Sequence, residues 1–428
     1  MLSSPEERRR MRQEKAAQRA RKQANFKKTL LRLGIAGVVL ITCLILIFTL
    51  SRKKPGQAPD ATQPSQTVPS GESALPTEPE QTVDNSTTVI HYAAVGDLNI
   101  NDSTVAAGGT NYDYTNAFLD VAHLLADANI SSVNFEGNLY GEPYGSSFSA
   151  PQSMATALQK AGVDLVQMAN SYSINRGLAG LIASMDGVRS AGMEPLGVYA
   201  DNNAFRASKG YTIRNVNGVK MAFVAFTKGM DGMALPVGSE NCVNVLYADY
   251  DSGYQTVDTE RISSILSAVN REKPDIVIAL LHWGSEFNNT ISVSQKKIVT
   301  LMQDYGVDAI IGTHSHYVQQ IQFDPEKGQL VAYSLGDFFS DAARAGSEYS
   351  IVLDLEITKD HRTGATKITN YSHTPIFTVH EPESPFRVVR IHEAIAAYES
   401  AYLQKVSQET YNKMLYALER IEARVAGK

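Results

Sequence analysis

Three histidines carry the plainest chemistry in this 428-residue chain. His282 follows the apolar run at 276–281, and His314 and His316 follow a second run at 309–312, in the turn Gly-Thr-His-Ser-His. Imidazoles delivered from two loops could meet on one divalent ion, because neutral ring nitrogens are good donors to zinc and iron. A single histidine after a strand is more often a hydrogen-bonded structural group. Clustering is what turns such a residue into a candidate site.

Those side chains can meet only if strands deliver their loops to one edge. Both apolar runs look like buried parallel strands, and ligands in open α/β sheets sit beyond the carboxyl ends of such strands. Three further loops follow strands upstream in the same manner: Gly96-Asp97, Asn134-Phe135-Glu136 and Ala169-Asn170-Ser171-Tyr172. Between them, apolar spacing predicts helices over 116–127, 152–161, 178–191, 257–271 and 293–304. Hairpins are predicted at 210–227, turning at Asn217-Gly218, and at 319–335, with closing strands at 349–357 and 365–372. The class is therefore α/β. Past Pro385, apolar and aromatic residues recur at three and four from Ile391 to Val425, predicting one amphipathic helix or a helical pair. It could dock on the sheet domain or serve as an oligomerisation or partner surface.

Charge is unevenly spread. Residues 1–32 hold eleven Lys or Arg against three Glu, and Arg52, Lys53 and Lys54 add three more. From Pro55 onward 25 basic residues face 42 acidic ones, a net of −17. Residues 33–50 are 18 uncharged positions, close to the ~20 that span a hydrocarbon core. A cleaved signal peptide would call for small residues next, but Ser-Arg-Lys-Lys follows. The expectation is a retained single-pass anchor in the cell membrane, with a basic cytoplasmic tail at 1–32 and the main domain extracellular. Phe26 is the tail's only aromatic, which suits contact with lipid headgroups and no specific nucleic acid. Residues 51–88, rich in Pro, Ser and Thr, read as a disordered linker. Cys43 and Cys242 lie in different environments and form no disulfide framework.

The five loops, and the segments His-Trp-Gly-Ser-Glu-Phe, Gly-Thr-His-Ser-His and Tyr-Ser-Leu-Gly-Asp-Phe-Phe, resemble the CapA/PgsA family of capsule and poly-γ-glutamate biosynthesis proteins. Its members look like relatives of the calcineurin-like metallophosphatases. The resemblance covers about 89–341 and implies a four-layer α-β-β-α sandwich over 89–385, with 386–428 as a helical extension. By it, Asp97 is a first-metal carboxylate, Glu136 bridges, His282 and His314 serve a second metal, and His316 returns to the first. The metals implied are Mn, Fe or Zn, and such a pair would activate water and stabilise developing negative charge.

The third loop departs from that pattern, which resembles Asn-Asn-His followed by an Asp three residues later. Here Asn170 is kept, Ser171 replaces the amide ligand, Tyr172 the histidine that protonates the leaving group, and Asn175 the carboxylate. A tyrosine with an ordinary pKa near 10 shuttles protons poorly at neutral pH, and general acid catalysis is typically worth ~10²–10⁴ in rate. Asn99 stands where many metallophosphatases have a second histidine. Arg176 reads as an anion clamp or a surface ion pair, Trp283 as core or as a stacking platform, Glu286 as an orienter of His282 or a solvated charge, and Asp337 as a partner for His316 or a turn residue. Two functions follow from the resemblance. One is a membrane-anchored accessory to synthesis, export or anchoring of a capsular or poly-γ-glutamate-type polymer, whose degenerate metal site binds the polymer while the anchor and C-terminal helix join it to a synthase complex. The other is a surface metallohydrolase of phosphoesters or polymer amides.

Overall fold

Burial changes along the first strand, β1 (Thr87–Asn99): its start alternates between exposed and buried residues, and 92–98 are buried without a break. That is the signature of a strand whose second half is covered on both faces. The structure is a computed structural model that describes residues 86–342, 344–381, 386–400 and 406–428. The expected tail at 1–32, the span at 33–50 and the linker as far as 85 lie outside the described residues. Thr87 and Thr88, assigned to the linker by composition, are already in β1, paired with Asp360 and Lys359. Among the described residues no helix is long and apolar enough to cross a membrane.

After β1 come the short helices α1 (Asp102–Ala106), α2 (Thr115–Phe118) and α3 (Ala122–Ala126), then β2 (Ile130–Glu136), α4 (Gln152–Lys160), β3 (Leu165–Gln167), α5 (Gly177–Ser190) and β4 (Glu194–Leu196). Next are α6 (Asn202–Ser208), β5 (Thr212–Val216), β6 (Val219–Thr227), α7 (Thr259–Arg271), β7 (Ile276–His282), α8 (Val293–Asp304) and β8 (Ala309–Thr313). The chain continues through β9 (Ile321–Asp324), β10 (Gln329–Ala332), β11 (Asp337–Phe339), β12 (Tyr349–Asp360), β13 (Thr366–Val379) and β14 (Arg387–Arg390), and ends in α9 (Ile391–Glu399) and α10 (Gln408–Val425).

Two sheets result. The larger runs β14-β13-β12-β1-β2-β3-β4 with β11 added beside β1, and the smaller runs β5-β6-β7-β8-β10-β9. The strands that end at candidate residues are parallel: β1 to β2, β2 to β3, and β7 to β8. One apolar core lies between the sheets, joining Tyr92 and Leu353 to Phe223 and Ile278. A second joins the outer face of the larger sheet to α4 and α5 through Met154, Leu158, Leu181 and Met185. A third joins the smaller sheet to α7 and α8 through Phe226, Ile262, Leu281 and Ile298. Strand alternation explains the division, since neighbouring residues such as Ala93 and Ala94 serve opposite faces.

Local chemistry sets the element ends. Ser292 and Gln295 form a reciprocal capping box that starts α8, worth about 1 kcal/mol in helix stability. Asn217 and Gly218, at φ 49° and 84°, turn the β5–β6 hairpin as expected. The single helix expected at 116–127 is two, because the chain turns between Phe118 and Ala122; Leu119 is left 62% exposed while Phe118 packs on Phe338 and Phe339. The C-terminal periodicity resolves into a pair, with Met414, Ala417 and Ile421 of α10 buried in the inter-sheet core. β14, just beyond residue 385, pairs with β13 and ties this region into the larger sheet.

Two glycines let backbones touch near the candidate residues. A Cβ on Gly96 would lie 1.7 Å from the Gly336 carbonyl oxygen, and one on Gly312 would lie 2.0 Å from that of Tyr333. Gly96→Ala and Gly312→Ala should each cost about 2–3 kcal/mol, because the obstructing atoms are main chain and cannot rotate away. Denaturant unfolding of each variant checks this, and an unchanged midpoint would contradict it.

Candidate metal centre

Register brings the polar residues together. In the larger sheet Asp97 pairs with Asn134 on one side and Asp337 on the other, and Asn99 pairs with Glu136. In the smaller sheet His282 pairs with Thr313, and the chain then enters the turn of His314 and His316. All six residues predicted as ligands, Asp97, Glu136, Ser171, His282, His314 and His316, are buried. Five of them, with Asp337 and without Ser171, form two groups whose donor atoms lie within 4.8 Å of one another: Glu136, His282 and His314, and Asp97, His316 and Asp337. The resemblance made Glu136 a bridge between two ions; in the fold it groups with His282 and His314, and Asp337 completes the group of Asp97 and His316.

The carboxamide of Asn134 stands between the groups. Its Nδ2 donates to Asp97 Oδ1 at 2.6 Å and Glu136 Oε1 at 3.2 Å, and lies 3.3 Å from His282 Nδ1. Asn170 sets its orientation by donating to Asn134 Oδ1 at 3.1 Å and to the Phe135 carbonyl at 2.7 Å. His282 Nε2 meets the Ser171 hydroxyl at 3.0 Å, while its Nδ1 is 3.3 Å from Glu136 Oε1 and 3.2 Å from Thr313 Oγ1. His316 Nδ1 donates to Asp337 Oδ1 at 2.7 Å, and its ring stacks on Phe287 at 4.9 Å between centroids.

Burial and crowding shift the charges. Burial raises the Asp97 carboxyl to about 6, with His316 opposing the rise and Asp337 adding to it. Burial and then the charge of Asp97 push Glu136 well above the usual range. His282 and His314 are held well below theirs, first by burial and then by neighbouring imidazoles and Lys228. Burial would lower His316 too, but Asp337, Glu136 and Asp97 outweigh it and raise the ring to about 11, so it is an imidazolium at neutral pH.

His314 tests whether these residues suit a metal ion. Both of its ring nitrogens are buried with no hydrogen-bond partner, and its backbone sits at φ 88° with the N–H bonded to Asp97 Oδ2 at 2.9 Å. His316 is also left-handed, at φ 57°. An unpaired buried polar atom costs about 1–3 kcal/mol, and a non-glycine residue in this backbone region a similar amount. A divalent cation would take up the orphaned lone pair and offset the carboxylate charge. The donor set, imidazole with carboxylate, fits Zn, Fe or Mn.

Other predicted residues have different places. Ser171 bonds His282 and Asn170 orients Asn134, so both act on the donors from one step away. Tyr172 stacks on Phe148 at 4.3 Å and lines a cavity of about 190 Å³ that reaches His316 and Asp337, with Asn99, Glu286 and Phe287 also in its wall. Burial, followed by nearby carboxylates including Glu136, raises its phenol, which stays neutral. Asn175 gives its backbone N–H to the Tyr172 carbonyl at 3.1 Å and stands apart from the cluster, because the loop turns there. Arg176 lies over the Tyr140 ring at 5.4 Å, where it clamps no buried anion. Trp283, next to His282, faces the opposite side: its indole N–H bonds the Tyr333 carbonyl at 2.9 Å within the helix-covered core. Glu286 is exposed at the cavity mouth, and Glu136, Ser171 and Thr313 hold His282 in its stead.

Asn134, Thr313, Phe287 and Lys228 were not singled out as site residues from sequence. The signal for Asn134 was present, since it lies two positions before Glu136 on one strand and so shares its face. Lys228, whose Nζ donates to the Gly284 carbonyl at 3.0 Å, carried no such signal.

A family model described as bacterial capsule synthesis protein PGA_cap matches residues 91–342, more than half of the chain. The capsule biosynthesis protein CapA of Bacillus anthracis is 28% identical over 196 residues, 45% of this chain and 44% of its own length. The PGA biosynthesis protein CapA of Bacillus subtilis is 26% identical over 212 residues, 50% of this chain and 51% of its own. The chain thus spans about half the length of the curated relatives it matches. Among solved structures, the calcineurin-like phosphoesterase YfkN from Bacillus subtilis aligns at 16% identity over 78% of this chain and 99% of that one, with a TM-score of 0.42. That overlap is too loose to carry an argument about chemistry.

His314→Asn should remove the donor while easing the backbone, because Asn tolerates the left-handed region. The expected result is loss of metal-induced thermal stabilisation with no fall in the metal-free melting temperature. A variant that keeps the metal-induced shift would rule His314 out as a ligand.

Proposed function

The chain belongs to the bacterial capsule synthesis protein family PGA_cap, and from that premise we propose that it is an accessory of capsule-type polymer synthesis, serving a poly-glutamate chain. The observation that carries this reading is the buried set of Asp97, Glu136, His282, His314, His316 and Asp337 at one end of the parallel strands, opening into a cavity beside Tyr172. Glu136, His282 and His314 would hold one divalent ion, and Asp97, His316 and Asp337 a second or a proton in its place. Bound there, Mn, Fe or Zn would supply positive charge able to accept a carboxylate or amide oxygen.

The chain's own residues favour holding such a ligand over cleaving it. Tyr172 keeps its proton, since burial and carboxylates raise its phenol further from neutral pH. It can therefore donate a hydrogen bond at the cavity wall but is a weak proton source for a leaving group. Asn134 and Asn170 keep Asp97 and Glu136 oriented, and Phe287 closes one side of His316. The apolar stretch at 33–50 would anchor the protein in the cell membrane, with the basic tail inside and the acidic domain tethered outside by the Pro-rich linker. That placement suits contact with a membrane-bound polymer synthase.

A surface metallohydrolase remains the rival reading, and the completeness of the imidazole and carboxylate set is what favours it. Full-length protein in detergent distinguishes the two. The accessory reading expects bound Mn, Fe or Zn by mass spectrometry, saturable binding of a γ-linked glutamate oligomer that weakens about tenfold or more in His282→Ala, and no cleavage of that oligomer. Metal-dependent cleavage abolished by His282→Ala would replace it with the hydrolase.

Metal retention should also fall with acid. Asp97 titrates at about 6, so below that pH its carboxyl is protonated and proton competes with the ion. Dialysis across pH 5 to 8, followed by metal analysis, should show retention dropping as pH passes below about 6. Flat retention over that range would show that protonation of Asp97 does not govern the bound ion.

A further inference from the structure

A cavity of about 260 Å³ lies beside the candidate metal centre, lined by Asn289, Gln319, Gln320, Arg420, Arg424 and Lys428. Two segments of chain contribute to both this cavity and the one at His316. The loop that places Glu286 and Phe287 in one places Asn289 in the other, and the turn that carries His316 leads to Gln319 and Gln320. Phe287 joins the two, with its ring stacked on His316 and edge-on to Tyr317 at 5.8 Å.

The cations of this cavity are unspent. Arg420, Arg424 and Lys428 have no acidic group within ion-pair distance among the described residues, although acids outnumber bases from Pro55 onward. Lys413, earlier on the same helix, is paired with Glu409. Nε of Arg420, and Nε and Nη1 of Arg424, are buried without a hydrogen-bond partner. Helix capping does not use them, because the N–H groups of Ala426, Gly427 and Lys428 already bond the carbonyls of Glu422, Arg424 and Ala423. Arg424 is held in place by its position over two rings, 4.8 Å from Tyr317 and 5.2 Å from Tyr349. Arg344 lies over Phe287 at 4.3 Å, adding a third guanidinium along the same border.

Partly buried guanidinium groups lining a cavity, one of them held over two rings, suit a carboxylate, whose two oxygens match their paired donors. We infer that α10 supplies a cationic subsite, built on Arg420 and Arg424, that binds a carboxylate of the same acidic polymer whose neighbouring segment enters the metal cavity. This rests on the polymer reading above. It also answers an electrostatic difficulty, since the chain from Pro55 onward, at net −17, repels a polyanion unless cations are concentrated where the polymer lies.

The test uses full-length protein in detergent, titrated with a γ-linked glutamate decamer and with the dimer, in wild type, Arg420→Gln, Arg424→Lys and the Arg420→Gln/Arg424→Gln double variant. Metal content and melting temperature are followed in parallel. The double variant should bind the decamer about tenfold or more weakly, with a shallower salt dependence, while metal content holds and the dimer is less affected than the decamer. If the double variant fails to fold, Arg420→Gln decides alone, with a severalfold loss for the decamer expected. Decamer affinity equal to wild type in a folded variant overturns the subsite and leaves the polymer reading standing. Wild type that binds no decamer overturns both. Arginine-dependent binding to phosphatidylglycerol vesicles in place of the oligomer would assign the cavity to a lipid headgroup and also overturn the proposal.

Discussion

One carboxamide holds the candidate centre in order. Asn134 reaches Asp97, Glu136 and His282 from a single nitrogen, and Asn170 fixes which way it points. Without that donor, two carboxylates buried at the end of adjacent strands would face each other with little to offset their charge, and like charges in a desolvated setting raise one another's pKa steeply. The imidazolium of His316, braced by Asp337, supplies the rest of the compensation. The result is a cluster that is balanced yet tense. His314 keeps two unpartnered ring nitrogens and a left-handed backbone in its midst.

The two sheets exist in the form they do because that cluster must be fed from both. β1, β2 and β11 bring the carboxylates, and β7 and β8 bring the histidines. The backbones can come close enough only where Gly96 and Gly312 carry no side chain. Trp283 shows the same economy from the other face. One residue after a buried donor, it turns into the helix-covered core and bonds the Tyr333 carbonyl, anchoring the strand end that carries His282.

Charge connects the domain to its surroundings. An acidic domain is a poor receptor for an acidic polymer unless positive charge is local. The structure places such charge along the border of Arg344, Arg420 and Arg424. The C-terminal helices, which bury Met414 and Ile421 in the inter-sheet core, thereby place their arginines next to the loop of Phe287.

Much of the fold was legible in the residues themselves. Parallel strands announced themselves as unbroken apolar runs, α8 by its Ser292–Gln295 cap, and the first hairpin by Asn217-Gly218. Of the six candidate ligands, Ser171 among them, each could be picked out because it lies near the end of a strand or in the turn after one. What stayed hidden depended on distance across the fold. No local pattern shows that Asp337 pairs with Asp97, that Asn134 lies against His282, that Trp283 turns away from the centre, or that Arg424 of the last helix reaches Tyr317. Sequence determines which elements form and which face of each is apolar, because those follow from neighbours a few residues apart. Tertiary structure alone decided how the donors divide into two groups and which cations border them, because only strand register and sheet packing bring together residues hundreds of positions apart.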